Sequence, residues 1–431
     1  MKKKIQVSEA VKGMYVAELD RPWRDTPFLF QGFQITSAKE LKQLSECCEY
    51  IYIDTEEGLD VNPMHQAAGL HAGAPTQAEP VEKDIPVIMS DETVTRIARE
   101  AETRKEPVYK DQVVLEEELE AAREVESKTR TMIYDIMEDV RLGKSINAAG
   151  AKQVVGQMTE SIVRNPDAIV CFSQLKNKDE YTALHSLRVC ILALVFGRHL
   201  GLPKEGMNIL GMGALLHDVG KMRVDTSILN KPGKLSDAEF EEIKSHVPKG
   251  VEILEATSGI PKAAIDVARF HHERFDGTGY SGGRTGGEIS LFGQIGGIVD
   301  CYDAITSDRS YHTGMSSHEA LRRMYEWRSR NFDPAMIEQF IQCMGVYPIG
   351  SLVEMNTGSI GVVATINRMR RLRPKVVMVL TADKQPVRPT KIIDLYETDT
   401  CDETGHKLEI SRVLPSGSHG INPTDFLPIH H

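Results

Sequence analysis

The sequence lacks any long apolar run. Hydrophobic residues make up 41% of its 431 residues, yet no stretch approaches the roughly 20 consecutive apolar residues that a membrane-spanning helix requires. The opening Met-Lys-Lys-Lys carries the charge of a secretory signal, but no apolar segment follows it. We therefore predict a cytoplasmic protein with no membrane span.

Cysteine motifs and an excess of positive charge are also missing. The seven cysteines form no C-x-x-C motif and no regular spacing, which favours reduced core residues over disulfides or zinc ligands. The formal net charge of −11 argues against a broad nucleic-acid-binding surface, so no DNA partner is predicted. A phosphate-containing ligand would therefore need local positive charge, from metal ions or from a few lysine and arginine side chains.

The N-terminal residues predict a small α+β domain at 1–60. Apolar and polar residues alternate on either side of a glycine in 4–20, which predicts two strands. Residues 37–49 have helical spacing behind a serine N-cap, and the β-prone stretch 50–56 follows them. Residues 61–90 are rich in proline, alanine, glycine and histidine without periodicity, which is typical of a flexible linker.

The remaining chain is predicted to be mainly helical with a β-rich end. A helical connector is predicted at 91–165, and its Glu-rich helix stops at Gly143. This helix either pairs across a homodimer or packs within the chain, and we prefer the second interpretation. Residues 166–345 are predicted to form a helical domain and 346–431 a β-rich subdomain and tail. The predicted fold class is therefore mainly α, with a small α+β domain in front and a small β-rich subdomain behind.

Polar residues of metal-binding type lie in several segments of the helical region, each in or next to a predicted helix. The residues are His185, His217, Asp218, His246, His271, His272, Asp300 and Asp303. Imidazoles and carboxylates suit borderline metals such as Fe, Mn, Zn, Co or Ni, and two adjacent pairs from different helices can surround two ions. Asp300 and Asp303 share a helix face at i, i+3, so one could bind metal while the other orients a ligand, or Asp303 could pair locally.

Some of these residues have simpler explanations when they are taken one at a time. His185 alone is typical of a satisfied core or surface histidine, and His246 alone of a surface residue near a helix C-terminus, where the helix dipole favours it. Adjacent His217 and Asp218 lie in an apolar stretch and favour metal binding even in isolation, because burying both without partners is unfavourable. Their joint occurrence in one helical region favours the metal interpretation for the whole set.

Three stretches resemble the HD-GYP family, a branch of the HD phosphohydrolase superfamily whose known members hydrolyse cyclic di-GMP. They are LLHDVGKMRVDTSILNKPGKLSDAEFEEIKSHVPKG, HHERFDGTGY and VDCYDAITSDRSY, and the resemblance covers 166–345. Residues 1–60, with VKGMYVAELDRPW and YIYID, resemble a bacterial domain of unknown function called DUF3391, which precedes such domains.

The resemblance implies a binuclear metal centre. One ion would be held by the superfamily set, which corresponds to His185, His217, Asp218 and Asp300. A second ion, sharing Asp218 as a bridge, would be completed by His246, His271 and His272. The implied catalytic residues are Asp218, Lys221 and Asp303. The implied substrate-binding residues are Lys221, Tyr280, Arg309 and His312.

Three positions depart from the family pattern. Some members bind a third metal through a glutamate four residues before the first histidine, but that position is Tyr181 here. Glu180 would point about 100° away on a helix, so a binuclear centre is predicted. Ser281 replaces the proline of the Gly-Tyr-Pro motif, and the loop loses the fixed φ of that proline. His312 stands where the family commonly has lysine or arginine, which would weaken phosphate binding near neutral pH.

The resemblance implies a metal-dependent phosphodiesterase of bacterial second-messenger signalling that opens cyclic di-GMP to linear pGpG, with GMP as a further product. It suggests two Fe or Mn ions, although His and Asp ligands accept other first-row metals. Two alternatives stay open: a sensor that binds the nucleotide with slow or no cleavage, and a phosphodiesterase for another cyclic dinucleotide or nucleotide phosphate. A protein partner at the Gly279-Tyr280-Ser281 loop and a homodimer through 132–164 also stay open.

Overall fold

A computed structural model provides the structure of the chain. It describes residues 2–21, 26, 28, 32–59, 109–174, 181–231, 233–307, 314–368, 370–397 and 407–430. The chain divides into two compact units, Met1–Pro86 and Val87–His431. The predicted linker at 61–90 and the first part of the predicted connector lie outside the described residues. The finer division into five parts therefore stays a prediction.

The first unit contains a four-stranded antiparallel sheet and one helix packed against its core. Its elements are β1 (Lys2–Gln6), β2 (Tyr15–Leu19), β3 (Phe33–Gln34), α1 (Ala38–Cys47) and β4 (Tyr50–Asp54). The strand order is β1-β4-β2-β3. Helix α1 begins behind a capping box in which Ser37 and Glu40 each accept a backbone N–H from the other. The α+β character predicted for this end of the chain is confirmed.

The second unit is built mainly from helices. Those described are α2 (Leu115–Arg141), α3 (Ala148–Arg164), α4 (Pro166–Ser173), α5 (Tyr181–His199), α6 (Lys204–Leu216), α7 (Thr226–Leu229), α8 (Asp237–Lys244), α9 (His246–Glu255), α10 (Lys262–Phe270), α11 (Leu291–Thr306), α12 (Ser317–Glu326) and α13 (Pro334–Met344). The Glu-rich helix α2 buries an apolar stripe that includes Ile133, Ile136 and Val140. It packs against α3, α4 and α5 of the same chain.

A five-stranded antiparallel sheet follows the helices. Its strands are β5 (Leu352–Met355), β6 (Ile360–Thr365), β7 (Lys375–Leu380), β8 (Pro386–Asp394) and β9 (Ile410–Leu414), in the order β8-β7-β6-β5-β9. Val353, Val363 and Val376 belong to its buried core. The β-rich character predicted for this region is confirmed. Among the helices that the structure describes, none combines the length and hydropathy that a membrane span requires.

Candidate metal centre

The predicted metal ligands converge from five helices of the second unit. His185 lies in α5, His217 and Asp218 follow α6, His246 begins α9, His271 and His272 follow α10, and Asp300 lies in α11. His272 and Asp300 are partly exposed, with 17% and 13% of their side chains accessible, and the others are buried. The centre is therefore enclosed but open to solvent on the side of these two residues.

Two glycines allow the supporting segments to approach closely. A Cβ on Gly213 of α6 would lie 2.4 Å from the carbonyl oxygen of Ala264 in α10. A Cβ on Gly220, in the 3₁₀ turn that follows Asp218, would lie 2.0 Å from the carbonyl oxygen of His246. Any larger residue at either position would push these segments apart. The glycines thus bring the adjacent His217 and Asp218 up to α9 and α10.

Asp218 lies at the middle of the cluster. Its Oδ1 is 3.3 Å from Nε2 of His246 and 3.8 Å from Nε2 of His271. Its Oδ2 is 3.4 Å from Nε2 of His217 and 3.5 Å from Nε2 of His185. The two oxygens of one carboxylate therefore face two different pairs of imidazoles, which is the arrangement that a bridging ligand requires.

Asp300 connects the remaining residues. Its Oδ1 is 3.0 Å from Nε2 of His185, and its Oδ2 is 4.0 Å from Nδ1 of His272. Three overlapping triplets have ligand atoms within 4.8 Å of one another. They are His246, His271 and His272; His185, His217 and Asp300; and His217, Asp218 and His271. The third triplet shares members with the other two, so the first two lie side by side.

Hydrogen bonds at Nδ1 orient four of the imidazoles. His217, His246 and His271 each donate Nδ1–H to the backbone carbonyl three residues earlier, at 2.8, 2.7 and 2.9 Å. His185 donates Nδ1–H to Oδ2 of Asp303 at 2.7 Å. In the neutral ring the proton then sits on Nδ1, and Nε2 presents its lone pair to the centre, as metal-binding histidines require.

The centre is rich in hydrogen-bond acceptors and poor in donors. Among the described residues, His217 Nε2 and Asp218 Oδ1 are buried and have no hydrogen-bond partner. Nε2 of His246 and Nε2 of His271 face each other at 3.4 Å, and neither carries a proton in the tautomers above. Lone pairs that converge in this way are unfavourable unless a cation lies between them. The residues present therefore fit divalent metal ions of the kind that His and Asp bind.

Burial and neighbouring charges both shift the pKa values of the candidate ligands. Burial lowers the pKa of His246 to about 4 and that of His271 to about 3, which keeps these imidazoles neutral. Burial opposes the ionised form of Asp218, but the adjacent Lys221 ammonium and the contacts with His217 and His246 together hold the pKa of this carboxyl well below its usual value. Lys221 donates a hydrogen bond to Asp218 Oδ2, and one fifth of its side chain is exposed. It is the predicted phosphate contact that the structure brings to the centre.

Asp303 does not point toward the other ligands. Nε of Arg188 donates to its Oδ1 at 2.6 Å, and the second arm of the guanidinium donates to its Oδ2 at 3.0 Å. With His185 also bound, both oxygens are engaged, so Asp303 orients His185 from behind. Sequence reasoning missed Arg188, which lies one helical turn after His185. Its only signal is a charged residue in the apolar stretch of α5.

Tyr280 lines the side of the centre at which His272 lies. Its ring stacks on His272, with centroids 4.5 Å apart and an interplanar angle of 27°. The next residue, Ser281, has φ of 111°. Proline is held near a φ of about −65°, so this backbone does not accept the proline of the family motif without changing path. The replacement at this position therefore accompanies a different loop conformation.

Some predicted residues lie outside the described part of the chain. Arg309 and His312 fall within 308–313, so their predicted contacts with phosphate stay predictions. Glu180 and the side chain of Tyr181 also lie outside it, so the argument against a third metal rests on the sequence alone.

Comparisons with known families place domains along the whole chain. A model described as an HD domain matches residues 170–336, one described as a domain of unknown function, DUF3391, matches 2–151, and one described as a KOW domain associated with the HD domain matches 352–401. The helical fold and the His–Asp cluster, together with the HD match, define a hydrolase of the HD class.

A relative of similar length narrows this class. The chain is 36% identical to a cyclic di-GMP phosphodiesterase of Pseudomonas aeruginosa, over 93% of this chain and 91% of the relative. The chain belongs to the HD-GYP family. A 3'3'-cGAMP-specific phosphodiesterase of Vibrio cholerae is 36% identical over 40% of this chain and 37% of its own length. A solved HDG"Y"P protein of Bdellovibrio bacteriovorus aligns with 79% of this chain and 98% of its own, at 15% identity and a TM-score of 0.44.

Proposed function

We propose that this chain is a metal-dependent phosphodiesterase that hydrolyses cyclic di-GMP to linear pGpG, with GMP as a further product. The relative of similar length in Pseudomonas aeruginosa is named a cyclic di-GMP phosphodiesterase. The observation that carries the proposal is the pair of buried acceptors, His217 Nε2 and Asp218 Oδ1, which have no hydrogen-bond partner among the described residues. A cation beside each acceptor would satisfy it, and it would also attract the charged phosphodiester.

The proposed centre holds two divalent ions, with Fe or Mn as the first choice. One ion is assigned the ligands His185, His217, Asp218 and Asp300. The other is assigned His246, His271, His272 and, as a bridge, Asp218. When bound, such ions supply Lewis-acid polarisation of the phosphodiester and activate a water for in-line attack.

The surrounding residues hold ligands and charges in place. Asp303 keeps the proton of His185 on Nδ1, and Arg188 keeps Asp303 ionised and fixed. Lys221 can turn its ammonium group from Asp218 toward a phosphate oxygen, because part of its side chain is already accessible. Tyr280 stacks on His272 and offers aromatic surface to the substrate. We assign Asp218 and Lys221 to contact with the reacting groups and Asp303 to positioning.

The test is turnover of cyclic di-GMP by protein that is purified without oxygen and reconstituted with Fe(II) or Mn(II). Products are separated by chromatography, and metal content is measured on the same samples. We expect multiple turnover with about two metal ions per chain. Bound but uncleaved nucleotide would instead favour the sensor, and cleavage of 3'3'-cGAMP in preference to cyclic di-GMP would change the substrate.

The Asp218→Ala variant tests the centre itself. It should lose turnover and metal while keeping the helical circular dichroism of the wild type, because it removes the carboxylate that faces both pairs of histidines. Asp237→Ala, which changes an exposed aspartate on α8, is the matched control and should keep both. Turnover by metal-depleted Asp218→Ala protein would contradict the proposal.

A further inference from the structure

Phe240 exposes an aromatic ring beside the candidate metal centre. It lies on α8, and 45% of the residue is accessible. The structure describes this helix in full, and none of its residues is buried. Phe240 therefore does not anchor the helix in a core, and its ring remains available to a ligand. Single exposed apolar residues are common, so exposure alone assigns no role.

A sequence of ring contacts connects Phe240 to the centre. The Tyr280 ring stacks on His272, which is a candidate metal ligand. The Phe240 ring meets Tyr280 edge to face, with centroids 6.3 Å apart and an interplanar angle of 75°. His272 is also one of the two candidate ligands whose side chains are partly open to solvent. The aromatic surface thus begins at the open side of the metal centre and extends outward to Phe240.

Positive charge accompanies the rings. Nζ of Lys244, which also donates to Oε1 of Glu241 at 2.6 Å, lies 4.7 Å from the centroid of the Phe240 ring and 5.7 Å from that of Tyr280. Lys221 supplies a second ammonium group at the centre itself. Aromatic faces next to cationic side chains are the combination with which proteins bind unpaired nucleotides, because the ring stacks on the base and the cations attract the phosphates.

We infer that Phe240, with Tyr280 behind it, forms a stacking surface for a nucleobase of the substrate. This inference rests on the proposed function, because it needs a nucleotide whose phosphate lies at the metal centre. A ribose then separates the base from that phosphate, and the base projects toward the open side, where the rings lie. Phe240 contributes through affinity rather than through the bond-breaking step, and it acts on any purine, because every base presents a π-face.

The kinetic test compares Phe240→Leu and Phe240→Trp in the full chain. Phe240→Leu keeps apolar bulk and removes the ring, so KM for cyclic di-GMP should rise about 10-fold or more, while kcat changes by less than about threefold. Phe240→Trp restores a stacking face and should return KM to near the wild-type value. Tyr396→Leu removes a ring that is 57% exposed elsewhere in the chain and serves as the control.

Two further measurements distinguish stacking of Phe240 on the base from a structural role in which Phe240 supports the loop that carries Tyr280. Inorganic phosphate binds as an inhibitor without a base, so its inhibition constant and the metal content should be the same in Phe240→Leu and wild type. An inhibition constant that shifts together with KM, or a matching loss of kcat, would overturn the inference in favour of a structural role. An unchanged KM in Phe240→Leu would overturn it as well.

Failure of the proposed function would give a different result. If the wild type does not cleave cyclic di-GMP, the dissociation constants of cyclic di-GMP for the wild type and for the Phe240 variants are compared instead. Weaker binding by Phe240→Leu then supports the stacking surface even though the phosphodiesterase proposal has failed. No binding of cyclic di-GMP by the wild type would overturn both.

Discussion

The candidate metal centre and the junction of α4, α5 and the β6–β7 loop both bury charged side chains, but they satisfy them in opposite ways. At the junction, Arg368 binds both Asp167 and Asp111, the latter at 3.3 Å, and Arg198 donates to Asp111 at 2.8 Å. We call Asp111, Asp167, Arg198 and Arg368 the junction network. Two carboxylates face two guanidinium groups there, so each charged side chain has a partner of opposite sign within the chain.

The metal centre contains carboxylates and imidazoles whose lone pairs point at one another. Asp218 Oδ1 and His217 Nε2 find no hydrogen-bond partner among the described residues, and Lys221 is the cation that contacts Asp218. The difference shows that a buried polar cluster can be classified by whether its charges have partners within the chain. A network of paired opposite charges needs no ion from outside, whereas a cluster of acceptors requires a cation that the chain does not supply.

The largest expected effect on stability comes from breaking the junction network. Arg368→Met leaves the buried carboxylate of Asp167 without its guanidinium, so we expect the free energy of unfolding to fall by about 3–5 kcal/mol in urea denaturation. Turnover per folded molecule should be retained. Arg412→Met, which breaks an exposed pair with Glu354 on the same sheet, should cost about 1 kcal/mol or less. Equal effects of the two variants would show that the junction network does not behave as a buried pair.

Metal removal should destabilise the candidate metal centre and leave the junction network unchanged. At a free Mn(II) concentration of 100 times the dissociation constant, the wild type should be about 2.7 kcal/mol more stable than after chelation. Asp218→Ala should lose this increment, because it removes the shared ligand. Arg368→Met should keep it, although its baseline stability is lower. An increment that survives in Asp218→Ala would place the bound metal elsewhere in the chain.

Weakening the contact between Arg188 and Asp303, which orients His185, should have a smaller effect than losing Asp218. Arg188→Lys keeps the charge but loses the two-armed contact with Asp303, so His185 is held less firmly. We expect about 10- to 100-fold weaker metal binding in a competitive chelator titration. The unfolding free energy of the metal-free protein reports any purely structural damage. If the unfolding free energy of the metal-free variant falls while its metal affinity is kept, Arg188 has a packing role only.

Local signals in the sequence predicted most of the elements. The serine before α1 and the glycine after α2 predicted helix ends that the structure contains. Alternating apolar residues predicted strands at both ends of the chain. These signals succeed because capping and side-chain periodicity depend on neighbours within a few residues.

The site was predicted less completely because its support is not local. The ligand residues were identified through motifs, but Arg188 was missed, since its partner Asp303 lies 115 positions further along the chain. The junction network was missed for the same reason, because Asp167 and Arg368 are 201 positions apart. Phe240 has no sequence signal that separates an exposed ring from a half-buried one. Pairing across such separations is visible only after folding.

The smallest expected effect concerns His199, which lies beside the junction network. Its Nε2 donates to Oε1 of Gln339 at 3.0 Å, and burial lowers its pKa to about 4, helped by the charges of Arg368, Arg371 and Arg198. In the unfolded chain a histidine binds its proton near pH 6.5. Between these two values the unfolded state holds more protons than the folded state, so stability falls as the pH is lowered through this window.

Replacing His199 should therefore reduce the loss of unfolding free energy as the pH is lowered. Glutamine can still donate to Gln339 but does not titrate, so His199→Gln should lose about 1 kcal/mol less than wild type on going from pH 7 to about 5.5. Urea denaturation at both pH values measures the difference, and His419→Gln, which changes an exposed histidine, should follow the wild type. Equal acid sensitivity of His199→Gln and wild type would mean that burial does not keep His199 neutral in this pH window.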